Sequence, residues 1–303
     1  MASPLTSYTH PLTLAQADSL RSLLEERDFE FKEKPYTLFA ASKGKLNIAV
    51  YEKGPKILVQ GKETEEFVRF TLEPDVLGAA ELGYEEELNP EMFEPHFGID
   101  ESGKGDFFGP LVVAGAFTDR DTARTLLDAG VMDSKKISDG KIKKLAQLIR
   151  STPGLDHEVI MVGPKKYNEL YQKIGNLNKL LAWGHATVIE RLCEKRPECR
   201  RALSDQFANP ARLRSALGSL GKGIELQQRT KAESDIAVAA ASILARDKFV
   251  WWIDGASEKF GLTIPKGASS AVRSAAQQLV DKHGRDILFS LTKTHIKTAA
   301  QWL

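Results

Sequence analysis

The stretch GIDESGKGDFFGP, residues 98–110, decides how the rest of this chain is read. An apolar strand over residues 96–99 runs into it, and LVVAGAF, residues 111–117, leaves it as a second buried strand. Asp100 and Glu101 stand side by side where the first strand ends. Neighbours on a strand point to opposite faces, so one acid aims into a site and the other needs the strand end to join it. Two carboxylates beside a buried strand repel each other and are costly unless a cation neutralises them. Hard oxygen donors of this kind suit Mg2+ or Mn2+. The plainer alternative is a pair of surface acids after a strand.

The same residues nearly make a phosphate-binding loop. Gly98, Gly103 and Lys104 satisfy G-x-x-x-x-G-K, but Gly105 stands where Ser or Thr is required. Asp100 and Glu101 would also repel the phosphate that such a loop cradles. A nucleotide triphosphatase is therefore disfavoured. The glycines still permit close backbone approach, and their amides can donate to a phosphate or a ribose.

Outward from this segment, helices are expected over 140–150, 164–173, 176–196, 234–257, 269–283 and 292–303, with a strand over 158–162. Alternating strands and helices argue an α/β domain over 95–303. Asp205, in RALSDQFANP, is expected at a strand end. Glu233 and Asp235 open the Ala-rich helix, where Ser234 or Asp235 can simply cap it. Phe249, Trp251 and Trp252 are expected to anchor that helix in the core.

Residues 1–72 read as a separate α+β module. Thr13 is a candidate cap for a helix with Leu14, Ala17, Leu20, Leu23 and Leu24 on one face. Strands follow over 36–41, 46–51 and 57–60, broken at Gly44 and at Gly54–Pro55, and a helix starts from Gly61. Residues 73–94 carry eight acids and no Lys or Arg, with Pro74, Gly78, Gly83 and Pro90, and read as an acidic linker. A charged surface helix over 81–88 is the alternative.

The net charge of +1 rules out a uniformly basic nucleic-acid binder, but it is a sum of unlike parts. Residues 1–72 are neutral, the linker is strongly acidic, and residues 95–303 carry 32 basic against 23 acidic groups. Cys193 and Cys199 are the only cysteines, too few for a disulfide scaffold or a four-thiolate zinc site. With no apolar run of membrane-spanning length and no secretory pattern at the N-terminus, a cytoplasmic location is expected. The six histidines show no metal-ligand spacing, and His185, inside a helix, reads as a structural partner.

DESGKG with FFGPLVVAGAF, then DSKK (residues 133–136), DQF and KAE…AVAAASILAR together resemble the type 2 ribonucleases H across about residues 95–300. SGKG, the separate N-terminal module and NLNKLLAWGHATVI (residues 176–189) resemble the ribonuclease HIII branch rather than ribonuclease HII, which has Arg where Lys104 stands. The resemblance implies an α/β RNase H fold, a mixed sheet flanked by helices, preceded by a small α+β domain similar to the TATA-box-binding-protein fold. It implies a metal-dependent endoribonuclease that hydrolyses the RNA strand of RNA–DNA hybrids with two Mg2+ or Mn2+ ions, leaving 5′-phosphate and 3′-hydroxyl ends. Its carboxylates carry over to Asp100, Glu101 and Asp205. The fourth falls on Glu233 by the KA-acid motif, while the spacing to AVAAASI leaves Asp235 as a rival.

Four carboxylates suffice to hold two ions, and no covalent nucleophile is needed. Telling RNA from DNA requires reading the 2′-hydroxyl, a task for the backbone around Gly103, Lys104 and Gly105. Lys104, Ser134, Lys135 and Lys136 are candidate phosphate contacts. In the module, Lys43, Lys45, Lys53, Lys56 and Lys62 crowd the hairpins, and Tyr36, Phe39 and Tyr51 read first as core. A monomer is expected. The alternatives are a junction-specific ribonuclease HII-like nuclease and a non-catalytic nucleic-acid-binding protein.

Overall fold

The computed structural model describes residues 5–79 and 85–302. The chain divides into two units, Met1–Pro90 and Glu91–Leu303.

The first unit runs β1 (Ser7–Pro11), α1 (Leu14–Glu26), β2 (Glu30–Lys32), β3 (Thr37–Lys43), β4 (Leu46–Tyr51), β5 (Lys56–Gln60), α2 (Thr64–Phe67) and α3 (Glu85–Leu88). A π-helical stretch, Val68–Leu77, continues α2 directly. The sheet is antiparallel, in the order β1-β5-β4-β3-β2. Thr13 caps α1 through a reciprocal capping box with Gln16, which satisfies two backbone donors of the first turn. Ala17, Leu20 and Leu24 then meet Ile48, Val50, Ile57 and Val59 on one face of the sheet. Leu14, on the expected apolar face, is exposed. The other sheet face carries Lys32, Ala40, Ser42, Asn47, Leu58 and Gln60 around a shallow depression.

Two strands were not legible in the sequence. β1 ends in Pro and is only half-buried, and β2 is three exposed residues. Both are edge strands, held by pairing rather than by apolar content. The expected module boundary at residue 72 falls inside a helix. Val68, Leu72 and Val76 share the core of this unit, Glu73 is buried, and the helix stops only at Gly78, whose φ of 66° supplies the left-handed cap. Of the surface helix considered over 81–88, Glu85–Leu88 is helical and residues 81–84 lie outside the described residues.

The second unit runs β6 (His96–Ser102), β7 (Leu111–Thr118), α4 (Arg120–Asp128), α5 (Asp139–Ser151), β8 (His157–Val162), α6 (Pro164–Ile174), α7 (Leu177–Lys195), β9 (Arg201–Asp205), α8 (Pro210–Ala216), β10 (Glu225–Arg229), α9 (Ile236–Phe260), α10 (Ser270–His283) and α11 (Ile287–Leu291). Its sheet order is β10-β9-β6-β7-β8. β6, β7 and β8 are antiparallel neighbours, whereas β9 lies parallel to both β6 and β10, so the sheet is mixed. All eight residues of β7 are buried, because α9 covers one face of the sheet and α7 the other.

α9 lies directly on β6. A Cβ at Gly98 would sit 2.1 Å from the carbonyl carbon of Ala237, so glycine is required where helix and strand cross. Small residues on α9 serve the same approach: Ala237, Ala239, Ala240, Ala241 and Ala245 are all buried.

Two expectations for this unit need correction. Phe249 is buried in the core and half-buried Trp252 packs against it, but Trp251 is 59% exposed, so of the three aromatics Trp251 is not an anchor. The helix expected over 292–303 is absent. Thr292 forms a bridge with Phe108, the Lys293 amide donates to the Phe107 carbonyl, and only a 3-10 turn, Lys297–Gln301, follows. Pairing with the glycine-rich loop competes successfully with helix propensity there. β10 was missed because ELQQR has a single buried residue and looks like loop.

Candidate active site

β6 and β9 run parallel, with Ile99 paired to Ser204. One step further along the same register sets Asp100 beside Asp205. Both acids therefore stand at the carboxyl ends of adjacent parallel strands, the place where open α/β sheets bind ligands. Asp205 accepts from the Ala232 amide at 3.3 Å, which draws the turn carrying Glu233 against the end of β9. Lys231, just before that turn, adopts a left-handed φ of 58°, a conformation that costs a side-chain-bearing residue about 1–2 kcal/mol.

Asp100 is buried on the α9 side and hydrogen-bonds Ser242. Burial first, and the negative charges of Glu101 and Asp205 next, push its carboxyl up to about 8. Glu101 points to the other face. Its Oε2 lies 3.0 Å from Nε2 of His185 on α7, and its Oε1 lies 3.3 Å from the Lys104 ammonium. Burial pushes Glu101 up, but His185 and then Lys104 outweigh it and hold the carboxyl below its usual value. Lys135 is exposed at the edge of this group. The charges of Asp100, Asp133, Glu233 and Asp205 overcome its partial desolvation and raise its pKa.

The structure thus gathers Asp100, Glu101, Asp205 and Glu233, with Lys104 and Lys135 as the attending cations. It does not bring Asp235 to them. Asp235 caps α9 by accepting from the Ala237 and Val238 amides, and both its oxygens lie 3.0 Å from Nε2 of buried His96 at the start of β6. Asp235 is a helix cap with a buried partner.

Among the described residues, no three His, Cys, Asp or Glu side chains as they stand are grouped closely enough to hold a metal ion. The donor set nonetheless suits a hard divalent cation. Burial first, and the neighbouring carboxylates second, raise Asp100 to about 8, a cost that a bound divalent cation would relieve.

The glycine loop divides into an inner and an outer part. Gly103 is buried with φ 85°, and a Cβ there would lie 2.2 Å from the Pro110 carbonyl oxygen. Gly105 has open space around it, so its backbone is the part exposed to a ligand. Beneath the loop lies Lys293, a residue that sequence reading missed. It is fully buried and donates to the carbonyls of Asp106 at 2.9 Å and Gly109 at 2.6 Å. Burial lowers its pKa to about 7. No sequence signal distinguishes this lysine from the surface ones.

Ser134 needs a correction as well. It is buried, its hydroxyl is 2.6 Å from that of Ser242, and its carbonyl accepts from Arg246. It ties the segment presenting Lys135 to α9 and is not itself displayed to a phosphate. The side chain of Lys136 lies outside the described residues.

Comparison with known proteins agrees with this geometry. The profile of the Ribonuclease HII family matches residues 97–299. Ribonuclease HIII of Chlamydia caviae is 41% identical over 97% of this chain and 96% of its own length. Ribonuclease HIII of Protochlamydia amoebophila is 41% identical over 98% and 96%. Among solved structures, Bst-RNase HIII in complex with Mn2+ is similar at a TM-score of 0.66 and 27% identity, covering 98% of both chains. RNase H3 of Aquifex aeolicus follows at 0.55 and 26%, covering 95% of this chain and 99% of its own.

The paired acids at the ends of parallel strands, in a mixed sheet between helices, thus define a ribonuclease H fold and site. The chain belongs to the type 2 ribonuclease H family, and its full-length relatives are ribonuclease HIII proteins. It is accordingly a ribonuclease H, an endonuclease.

Proposed function

We propose that this ribonuclease H cleaves the RNA strand of RNA–DNA hybrids with Mg2+ or Mn2+ held by Asp100, Glu101, Asp205 and Glu233. The observation that carries this reading is that Asp100, Asp205 and Glu233 all act on Lys135, while Glu101 and Asp205 add to the burial that raises Asp100. Two bound ions supply the Lewis acidity that activates water and neutralises charge at phosphorus and at the leaving 3′-oxygen, so the products carry 5′-phosphate and 3′-hydroxyl ends.

The protein's own groups do the rest. Lys135 and Lys104 attract the scissile strand's phosphates, and the open backbone at Gly105 lies where a 2′-hydroxyl can be read. Gly103 and Lys293 hold that backbone in shape. Glu233 is the fourth carboxylate because Asp235 is already spent on α9 and His96.

The module formed by β1–β5 and its helices is, in this reading, a TATA-box-binding-protein-like grip for the hybrid. Its sheet has one face packed and the other open and lined by Lys32, Ser42, Asn47 and Gln60. Of the linker expected over 73–94, Val76 packs in the first unit's core and Met92 and Phe93 in the second's, so in this reading the linker is shorter than expected. Both cysteines are buried free thiols, which suits a reducing compartment, and among the described residues no helix is long and apolar enough to cross a membrane.

The test is cleavage of a uniform RNA–DNA hybrid, beside a duplex with one embedded ribonucleotide, in Mg2+ and in Mn2+. Asp100→Asn is expected to lower hybrid cleavage about a thousandfold or more, as loss of roughly 4 kcal/mol of transition-state stabilisation would, while hybrid binding persists. Cleavage by Asp100→Asn at the wild-type rate would refute the site. Exclusive cutting at the single ribonucleotide would favour the junction-specific alternative.

A further inference from the structure

We propose that His185 is a positioning residue that braces the acid-bearing ends of β6 and β9 and fixes the Glu101 side chain for metal binding. The proposal rests on the metal-site reading above. The hydrogen-bonded ladder between β6 and β9 ends at the pair Ile99 and Ser204. Asp100, Glu101 and Asp205 lie just beyond it, paired on their outer sides to β7 and β10 but not to each other. His185 takes over at that point. Its Nε2 is 3.0 Å from Glu101 Oε2, and its Nδ1 is 3.0 Å from the hydroxyl of Ser204, the residue before Asp205. One imidazole thus links the penultimate residues of both strands.

The ring is fully buried on α7, and the ring of Phe207 lies 4.7 Å away, centroid to centroid. Burying an imidazole is tolerable only when both nitrogens are partnered, and here both are. Nε2 is within hydrogen-bond reach of the Glu101 carboxylate and Nδ1 of the Ser204 hydroxyl, which itself donates to the Asp205 carbonyl at 3.0 Å, so the ring is tied to both strands. A glutamate side chain loses substantial rotamer freedom when it is fixed, and a rigid buried partner bears that cost before the ion arrives. Lys104, the other partner of Glu101, is 38% exposed and flexible, so it cannot set the rotamer alone. His185 claims Oε2 and leaves Oε1 on the side that Lys104 reaches from solvent.

The experiment compares His185→Leu, His185→Asn and His185→Gln with Glu101→Gln in the full chain. Mn2+ binding is read by calorimetry, and steady-state hybrid cleavage is followed over a range of Mn2+. Loss of a side chain that orients a metal ligand weakens metal binding by about 10–100-fold. That shift is expected for His185→Leu and His185→Asn, with KM for the hybrid at saturating Mn2+ within about threefold of wild type and the loss confined to kcat and Mn2+ affinity. Gln can still donate to Glu101 and is expected to recover most of the Mn2+ affinity.

In a Glu101→Gln background, His185→Asn should add little, because the histidine acts through Glu101. Should the Leu variant fail to fold, the Asn variant, which keeps a polar contact to Ser204, decides. Weakened binding in Glu101→Gln beside wild-type Mn2+ affinity in His185→Asn overturns the brace alone. Unchanged Mn2+ binding in Glu101→Gln overturns the metal-site reading and the brace with it.

Discussion

Asp100 and Glu101 are neighbours in sequence with opposite environments, and that difference is their chemistry. Glu101 turns to His185 and Lys104 and is held ionised. Asp100 faces α9 with only a serine hydroxyl and the Glu101 amide to support it, and burial among other carboxylates raises its pKa to about 8. In the unfolded chain the same carboxyl has its ordinary value of 3.8. From about pH 4 to 8 the folded, metal-free protein therefore keeps a proton that the unfolded chain has lost. Asp100's contribution is thus most favourable below about pH 4 and is lost as pH rises toward 8, at up to about 1.4 kcal/mol per unit. Thermal unfolding of metal-free wild type and Asp100→Asn between pH 5 and 8 should show the variant gaining relative stability as pH rises. Added Mn2+ should stabilise wild type at pH 8 far more than the variant. A stability gap independent of pH would count against this account.

At the scale of elements, α9 does two jobs that sequence reading had merged. Of the two acids just before it, Asp235 caps the helix, and Glu233, two positions earlier in the preceding turn, is the one proposed for the site. The cap holds the first turn of the helix and the buried ring of His96. Asp235→Ala is expected to cost about 1–2 kcal/mol for the lost cap, and more for the orphaned histidine, visible as a lower midpoint in urea. Below the unfolding range that variant should still cleave hybrid within several-fold of wild type. Glu233→Gln should show the reverse, with a normal urea midpoint and cleavage reduced by a hundredfold or more, about 2.7 kcal/mol of barrier. Should Asp235→Asn abolish cleavage while Glu233→Gln preserves it, the assignment is inverted.

At the scale of the whole molecule, chemistry is proposed for the second unit and grip for the first. Every residue assigned to the reaction lies in Glu91–Leu303, and the first unit has its own apolar core. Removing residues 1–90 should leave kcat within a few-fold and raise KM for hybrid by about tenfold or more, since linked binding surfaces raise effective concentration. The salt dependence of KM should also weaken, because fewer phosphate contacts release fewer counterions. Equal KM values for the full chain and the truncated protein would remove the first unit from substrate binding. The near-neutral net charge conceals this arrangement: the second unit couples a basic surplus to a local carboxylate cluster, so attraction of the hybrid and attraction of metal occur in the same unit.

Much of this was legible in residue order. Asp100 and Glu101 at the end of an apolar strand, the glycine loop after them, the Ala-rich helix and the Thr13 cap all depend on local chemistry, which a linear sequence carries in full. The edge strands β1, β2 and β10 were not legible, since they exist through pairing and bury little apolar surface of their own. Nor was the path of residues 292–302, where bonds to the loop around Phe107 and Phe108 override helix propensity.

The same limit applied within the site. Sequence by itself determined which residue types were available and which acids stood at element ends. Tertiary structure decided that Asp235 is engaged as a helix cap and with His96, that Ser134 is buried against Ser242, and that His185 and Lys293 contact Glu101 and the glycine loop. Those are questions of which side chains meet at sequence separations of 84 to 187, and spacing along a chain holds no record of contacts formed only when strands and helices pack.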